Sequence, residues 1–275
     1  MLETKETIRI AAVGDVHCGR EGQGKYQAIF ASVPERADVL LLCGDLTDYG
    51  LPEEARLLAR ELAPALKIPV LAVLGNHDFE SGRVEEVRSI LGDAGVKILD
   101  GDAVEVGGVG FAGIKGFAGG FGARTLGPWG EESIKRFVHE AVEEALKLES
   151  ALAKIRTPRR VAVLHYSCSE STVQGEPREI YPFLGSSRLE EPINRFKAAA
   201  VFHGHAHHGV AEGRTATGAP IYNVSMPLLR RNYPEQPPIR IVHLSTSADA
   251  PEPERRQADR RTGDPRAEVV GSQKP

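Results

Sequence analysis

Five short polar clusters in this chain carry residue types that bind metal ions. They are Asp15 with His17, Asp45, Asn76 with His77, His165, and a histidine group at His203, His205 and His207. Each follows closely on an apolar run, so buried strands deliver all five to their carboxyl ends, where the ligands of open α/β sheets collect. Gly75-Asn76-His77-Asp78 poses the problem most plainly, because it follows Val70-Leu71-Ala72-Val73-Leu74. A buried strand gains nothing from ending in an amide, an imidazole and a carboxylate unless something binds there. The donors are oxygen and nitrogen, and no thiolate is required. Seven ligands (Asp15, His17, Asp45, Asn76, His165 and two of the last histidines) are too many for one transition metal and suit two if Asp45 bridges them. Two ions roughly 3.5–4 Å apart clamp the attacking and leaving oxygens of a displacement at phosphorus, with a hydroxide between them as the natural nucleophile. Strand ends alone leave open whether the last pair is His203 with His205 or His205 with His207.

The elements that must position these groups can be read from apolar periodicity. Strands are expected at 8–13, 39–43, 70–74 and 161–164, each ending at a candidate ligand, and at 199–202 ahead of the histidine group. Short strands are expected at 96–99, 103–106, 109–114, 221–224 and 239–244. Helices are expected near 26–33, 52–63, 83–93, 131–155 and 188–196. The second of these opens on Pro52 with Glu53 and Glu54 at its positive end. The fourth keeps Ile134, Phe137, Val138, Ala141, Val142, Ala145, Leu148, Leu152 and Ile155 at helical spacing on one face. Residues 167–187 read as a long polar loop, of a length that is usually functional or mobile. Strands alternate with helices early and mix with them later, which indicates an α/β or α+β layered domain, two sheets packed together with helices outside.

The order Asp15-x-His17, Gly44-Asp45, Gly75-Asn76-His77-Asp78, His165 and Gly204-His205-Ala206-His207 resembles the calcineurin-like metallophosphoesterase superfamily over roughly residues 8–224. The last motif of that family is Gly-His-x-His, which fits only Gly204 to His207 and makes His205 and His207 the ligand pair. The resemblance implies an α/β four-layer sandwich of two mixed β-sheets flanked by helices, with a dimetal site at the strand carboxyl ends. It implies that Asp15, His17, Asp45 and His207 hold one metal ion and that Asp45, Asn76, His165 and His205 hold the other. By the same resemblance a bridging hydroxide attacks phosphorus, His77 protonates the leaving oxygen or stabilises the transition state, and Asp48 orients His77. Manganese, iron, zinc or nickel all suit such mixed ligands. In the protein Ser/Thr phosphatase branch an arginine follows the carboxylate matched by Asp48. Tyr49 stands there in this chain, which favours small-molecule phosphoesters, including the cyclic-nucleotide phosphodiesterase type. The expected activity is hydrolysis of a phosphodiester or phosphomonoester, the diester slightly favoured because no cap domain is evident and the site should be open. The alternative is a catalytically inactive scaffold that keeps the fold as a binding protein.

The rest of the sequence sets bounds. The 275 residues, 41% hydrophobic, form one domain over 1–244 with a sizeable core, and the formal net charge of -4 argues against nucleic acid. No apolar run approaches the roughly 18 residues of a membrane span, and Met1–Thr7 is polar, unlike a signal peptide. Three cysteines argue against a disulfide framework, so a cytoplasmic protein is expected. Residues 245–275 are rich in Pro, Arg, Asp and Glu, and are expected to be a disordered tail. Gly108 to Gly113 matches G-x-G-x-x-G, but no helix opens from it, as a dinucleotide site requires. Cys18 and Cys168 each follow a ligand motif and could share the site's rim. Lys115, Arg124, Arg178, Tyr181 and Arg188 are the candidates for substrate contact from flanking loops.

Overall fold

A computed structural model describes residues 6–247 of the chain. In chain order the elements are β1 (Thr7–Val13), α1 (Gln27–Ala31), α2 (Val33–Arg36), β2 (Val39–Cys43), α3 (Pro52–Leu62), β3 (Val70–Val73), α4 (Val84–Asp93), β4 (Lys97–Ile98), β5 (Asp102–Val106), β6 (Val109–Gly113), α5 (Glu132–Lys154), β7 (Arg159–Val163), α6 (Tyr181–Leu184), α7 (Glu190–Arg195), β8 (Ala200–His203), β9 (Glu212–Arg214), β10 (Pro220–Asn223), α8 (Met226–Asn232) and β11 (Arg240–Ser245).

Two sheets result, ordered β11-β1-β2-β3-β4 and β5-β6-β7-β8-β10-β9. In the first, β1 to β4 are parallel and β11 is antiparallel; in the second, β6, β7, β8 and β10 are parallel between antiparallel edges. The alternation of side chains along a strand divides the core into layers. Ile8, Ile10, Ala12, Val39, Leu41, Leu71 and Val73 face Val109, Phe111, Val161, Val163 and Phe202 of the other sheet. Ala11, Val13, Leu40, Leu42 and Ala72 face away, onto Phe30, Leu58, Leu62 and Leu91 of the helices. Ala112, Ala162 and Val201 face the opposite way, onto Leu148, Leu152 and Ile193. The architecture is therefore the expected four-layer sandwich of two mixed sheets flanked by helices. Both faces of the central strands are buried, which is why β2 reads as an unbroken apolar run.

Some elements depart from the sequence expectation. The helix expected at 26–33 is broken in two, since Pro34 lies in the first turn of α2. Ile134 is 37% exposed rather than on the buried face of α5, while Glu144 is buried and accepts hydrogen bonds from the Gly116 N–H and the Lys147 ammonium, each at 2.7 Å. Residues 167–187 are not a featureless loop: they form single helical turns at Glu170–Thr172 and Arg178–Ile180 and the helix α6. The short β9 and the helix α8 were not foreseen; β9 has no buried residue to give a pattern. Ser245 closes β11 and the Thr246 N–H donates to the Glu6 carbonyl, so the ordered body passes the expected boundary at Leu244. The remainder of the expected tail, 248–275, lies outside the described residues. Among the described residues no helix is long and apolar enough to cross a membrane.

The two sheets are joined where their parallel strands end. The Gly14 N–H donates to the Val224 carbonyl, and the Met226 N–H donates to the Gly14 carbonyl. The loops after β2 and β3 are locked by Asp78, whose carboxylate is fully buried. It accepts from the backbone N–H groups of Leu46, Thr47 and Gly75 at 3.2, 2.9 and 2.8 Å and from the Thr47 hydroxyl at 2.6 Å. Burial raises the Asp78 carboxyl above its ordinary pKa despite these bonds. Replacing Asp78 by Ala strands three buried amides, and we expect a loss of about 2–5 kcal/mol in urea unfolding. A change under about 0.5 kcal/mol, the level of an ordinary surface substitution, would show that the loops are held by other contacts.

Candidate metal centre

The sequence-predicted donors come from β1, β2, β3, β7 and β8, and the structure gathers them at one edge. Three overlapping groups have ligand atoms within 4.8 Å of one another: Asp15, His17 and His207; His17, Asp45 and His77; and Asp45, His165 and His205. Asn76 joins the third group, with its Oδ1 2.9 Å from His165 Nε2. Asp45 spans the set, with Oδ2 3.9 Å from His17 Nε2 and Oδ1 3.4 Å from His165 Nε2.

The backbone shows what this convergence requires. Among the described residues, five that are not glycine have a positive φ, and four of them are Asp15 (55°), His17 (44°), Asp45 (47°) and His205 (68°). Non-glycine residues in that region are strained and gather at functional sites. The turns bring backbone against side chain so closely that glycine is obligatory beside them: a Cβ at Gly75 would collide with the Asp45 carboxylate, and one at Gly204 with that of Asp15.

Backbone carbonyls fix the rings of His165 and His205 so that each keeps a ring nitrogen with a free lone pair. His165 Nδ1–H donates to the Cys43 carbonyl at 3.0 Å, so in the neutral ring Nε2 and Asn76 Oδ1 face each other as two acceptors. His205 Nε2–H donates to the Phe183 carbonyl at 3.2 Å, which leaves Nδ1 free. His17 Nδ1 lies 3.5 Å from Asp48 Oδ1, and its buried Nε2 has no hydrogen-bond partner. His207 Nε2 contacts Asp15 Oδ1 at 2.9 Å.

The electrostatics fit a cation. Burial pushes the Asp45 carboxyl above the ordinary carboxylate range; Asp15 and Asp78 add to this, and His165 and the His77 N–H relieve it only in part. Burial also acts on Asp15, but there the His207 hydrogen bond and the neighbouring imidazoles outweigh it and hold the carboxyl low. Burial drives His205 down to about 3 and lowers His17, so both rings are neutral, as metal ligands must be. Metal–donor bonds of roughly 2.0–2.2 Å put adjacent donors about 3 Å apart. The acceptor-to-acceptor contacts, the orphaned His17 nitrogen and the unrelieved Asp45 carboxylate all suit positive charge held between these groups.

His77 is positioned differently from the expectation. Its Nδ1–H donates to the backbone carbonyl of Asp48 at 2.7 Å, not to the Asp48 carboxylate, which turns to His17 instead. The physical reason is reach: residue 48 passes His77 with its main chain, and the side chain projects to the next ring. Burial works against protonation of His77, but the Asp48 carbonyl and the carboxylates of Asp45, Glu80 and Asp48 outweigh it and raise its pKa. Glu80 Oε2 lies 3.5 Å from Nδ1. Neither that contact nor the Phe183 carbonyl was foreseen, and a backbone carbonyl leaves no residue-type signal.

His203 is fully buried, accepts from the Thr172 hydroxyl at 2.8 Å and donates to the Gly204 carbonyl at 2.7 Å, with no part in any donor group. Burial lowers its pKa to about 4. Cys18 and Cys168 are fully buried, and burial raises both thiols, which removes them from an accessible rim. The Lys115 ammonium donates to the Gly116 carbonyl at 2.8 Å, and the Arg188 guanidinium to the Leu126 carbonyl at 2.7 Å. Tyr181 packs against a small cluster of Phe121, Val173, Leu184 and Ala206. The candidate contact residues of the flanking loops thus have structural partners, while Arg124 and Arg178 are exposed single-turn residues.

Comparison with known proteins agrees with this geometry. A phosphopantetheinyl hydrolase from Mycobacterium tuberculosis superposes with a TM-score of 0.61 at 15% identity, covering 86% of this chain and 96% of that one, and so shares the fold. A glycerophosphodiester phosphodiesterase, GpdQ, of Enterobacter lignolyticus is 38% identical over 56 residues, a match that spans 20% of this chain and 20% of that enzyme's length. The calcineurin-like phosphoesterase family profile matches residues 8–209, a span that contains every donor described above. With that span, the two-sheet sandwich and the donor set in agreement, the chain belongs to the calcineurin-like phosphoesterase family.

Proposed function

We propose that this chain is a two-metal phosphoesterase acting on a small-molecule phosphodiester or phosphomonoester, with the diester favoured. One observation carries the reading: Asp45 offers one carboxylate oxygen to each of two donor groups, while His77 stands at their junction with its own backbone anchor. In this reading Asp15, His17, Asp45 and His207 hold one ion, and Asp45, Asn76, His165 and His205 hold the other. When bound, the ions supply Lewis acidity toward the phosphoryl oxygens and lower the pKa of water to near neutrality.

The chain's own residues do the rest. Asn76 contributes a neutral oxygen, which limits the negative charge facing a phosphate. Asp48 fixes two rings at once, His17 through its carboxylate and His77 through its carbonyl. With Nδ1–H committed, His77 uses Nε2 to give a proton to the leaving oxygen. Such general acid help is worth roughly 10²–10⁴-fold. The His77 side chain is 35% exposed and that of His207 34%, so the site is open enough to take a disubstituted phosphate. The short match to a glycerophosphodiester phosphodiesterase supports the diester preference. Three free, buried cysteines suit a reducing cytoplasm.

The purified chain with added manganese is expected to hydrolyse bis-p-nitrophenyl phosphate faster than p-nitrophenyl phosphate, and chelation should abolish both rates. No turnover of either ester with manganese, iron, zinc or nickel would overturn the proposal. The roles separate by variant. His77→Gln is expected to slow kcat by about 10²–10⁴-fold with the metal content of the protein unchanged. Asn76→Ala and Asp45→Asn are each expected to lower bound metal, Asp45→Asn at both positions. If His77→Gln loses metal as Asn76→Ala does, His77 is a ligand and not the proton donor.

A further inference from the structure

A cleft of about 460 Å³ opens beside the metal centre; His17 and Asp48 line it together with Arg20, Glu21, Lys25 and Tyr49. That volume lies in the range of small-molecule sites, about 300–1,000 Å³. We propose that this cleft takes the alcohol part of the phosphoester, and that Arg20 and Lys25 read a second anionic group on it, such as a carboxylate or another phosphate. The inference rests on the phosphoesterase reading above and adds the substrate class: small phosphoesters with a second negative charge on the alcohol side.

Three features carry it. First, the loop that presents the two cations is built, not loose. The carboxylate of Glu61 accepts the backbone N–H groups of Gly24, Tyr26 and Gln27 at 2.7, 2.9 and 2.8 Å, and the Tyr26 hydroxyl donates to the Val16 carbonyl at 3.0 Å, next to His17. Secondly, the carboxylates of the cleft are largely committed elsewhere. Glu54 is 1% exposed and accepts the N–H groups of Tyr49 and Leu51, and Asp48 faces His17 at 3.5 Å. Arg20 and Lys25 are exposed, and neither has a carboxylate partner among the described residues. Glu21 and the part-exposed Asp48 carboxylate are the negative charges that remain in the lining. Thirdly, the lining offers carbon surface beside the cations, from Leu51 and from Tyr49, which is 54% exposed. The sequence places Tyr49 where the phosphoprotein branch has an arginine. Here the positive charges of the cleft come instead from Arg20 and Lys25.

The probes are phenylphosphonate and 4-carboxyphenylphosphonate, which cannot be hydrolysed, titrated calorimetrically into the full chain loaded with manganese. The carboxylated probe is expected to bind about tenfold more tightly, the scale of one charge-assisted contact. In Arg20→Ala/Lys25→Ala the gain should fall to about twofold or less, and in Glu21→Gln, which removes a repelling charge, it should grow. Thermal melting confirms that the variants fold; these side chains carry none of the contacts that hold the loop. Equal affinity of the two probes, or a gain that survives the double variant, overturns the subsite while bis-p-nitrophenyl phosphate turnover keeps the phosphoesterase reading. If phenylphosphonate does not bind and the diester is not hydrolysed, the phosphoesterase reading fails and the subsite with it.

Discussion

The Asp45 carboxylate is the constraint on which the rest of this edge depends. It is 2% exposed, lies between imidazoles of both sheets, and accepts the His77 N–H at 2.9 Å through the oxygen that faces His165. A buried carboxylate with so little direct compensation is costly unless positive charge sits beside it. Its neighbours make the cost larger, since Asp15 and Asp78 both repel it. Relocating Asp45 is not open to the fold either. Its backbone is held left-handed, its side chain fills the space that Gly75 leaves, and its carbonyl accepts the His17 N–H. The protein therefore maintains a charged, strained centre, and the apolar layers on both sides of β2 are what stabilise it. Burying each Leu of that strand contributes about 1.5–3 kcal/mol, against about 1–3 kcal/mol for each strained position.

The same economy runs through the orientation of the rings. Few side chains are spent on it. Backbone carbonyls of Cys43, Asp48 and Phe183 fix one nitrogen each of His165, His77 and His205. A carbonyl accepts but cannot donate, so it selects the tautomer as well as the angle. Because Cys43 and Asp48 flank Asp45, the end of β2 and the loop after it supply the Asp45 carboxylate and the anchors for the histidines that follow β3 and β7 at once. The locking of that loop by Asp78 thus acts on every donor group that contains Asp45, without Asp78 facing any of them.

This distribution explains what could be read from residue types alone. The strand ends were legible because parallel strands buried on both faces give unbroken apolar runs, and the polar residue after each run stands out. Asp15, His17, Asp45, Asn76, His165 and His205 stood out for that reason, whereas the register of Gly204 to His207, and with it the preference for His207 over His203, came from the resemblance. The four-layer architecture followed from the resemblance rather than from periodicity. Asp48 was found as a residue but not in its action, because a pattern of residue types assigns work to side chains and His77 is held by a carbonyl. The Phe183 carbonyl was invisible on the same ground. Buried Glu144 and Glu61 look like surface charges in sequence, since only the fold supplies the backbone amides that satisfy them.

The donors sit on strand ends, whereas the walls above them are loops. On the His17 side the wall is 19–26 with 48–51; on the His205 side it is the turn that carries Phe183, with the Tyr166 ring 4.5 Å from that of His205. Apart from Asp48, which touches His17 and His77, the first wall is tied to α3 through Glu61 and Glu54, so the side chains of Arg20, Lys25 and Tyr49 can change without moving Asp45. The second wall is tied to a donor directly, through the Phe183 carbonyl, so changes there reach the centre. Physical coupling thus assigns the two walls different freedom: the His17 side is where selectivity can vary cheaply, and the His205 side is where a change of residue also disturbs the tautomer of a histidine in the donor set. That asymmetry follows from where each loop takes its hydrogen bonds: Arg20, Lys25 and Tyr49 hold no donor ring, whereas the turn that caps His205 does.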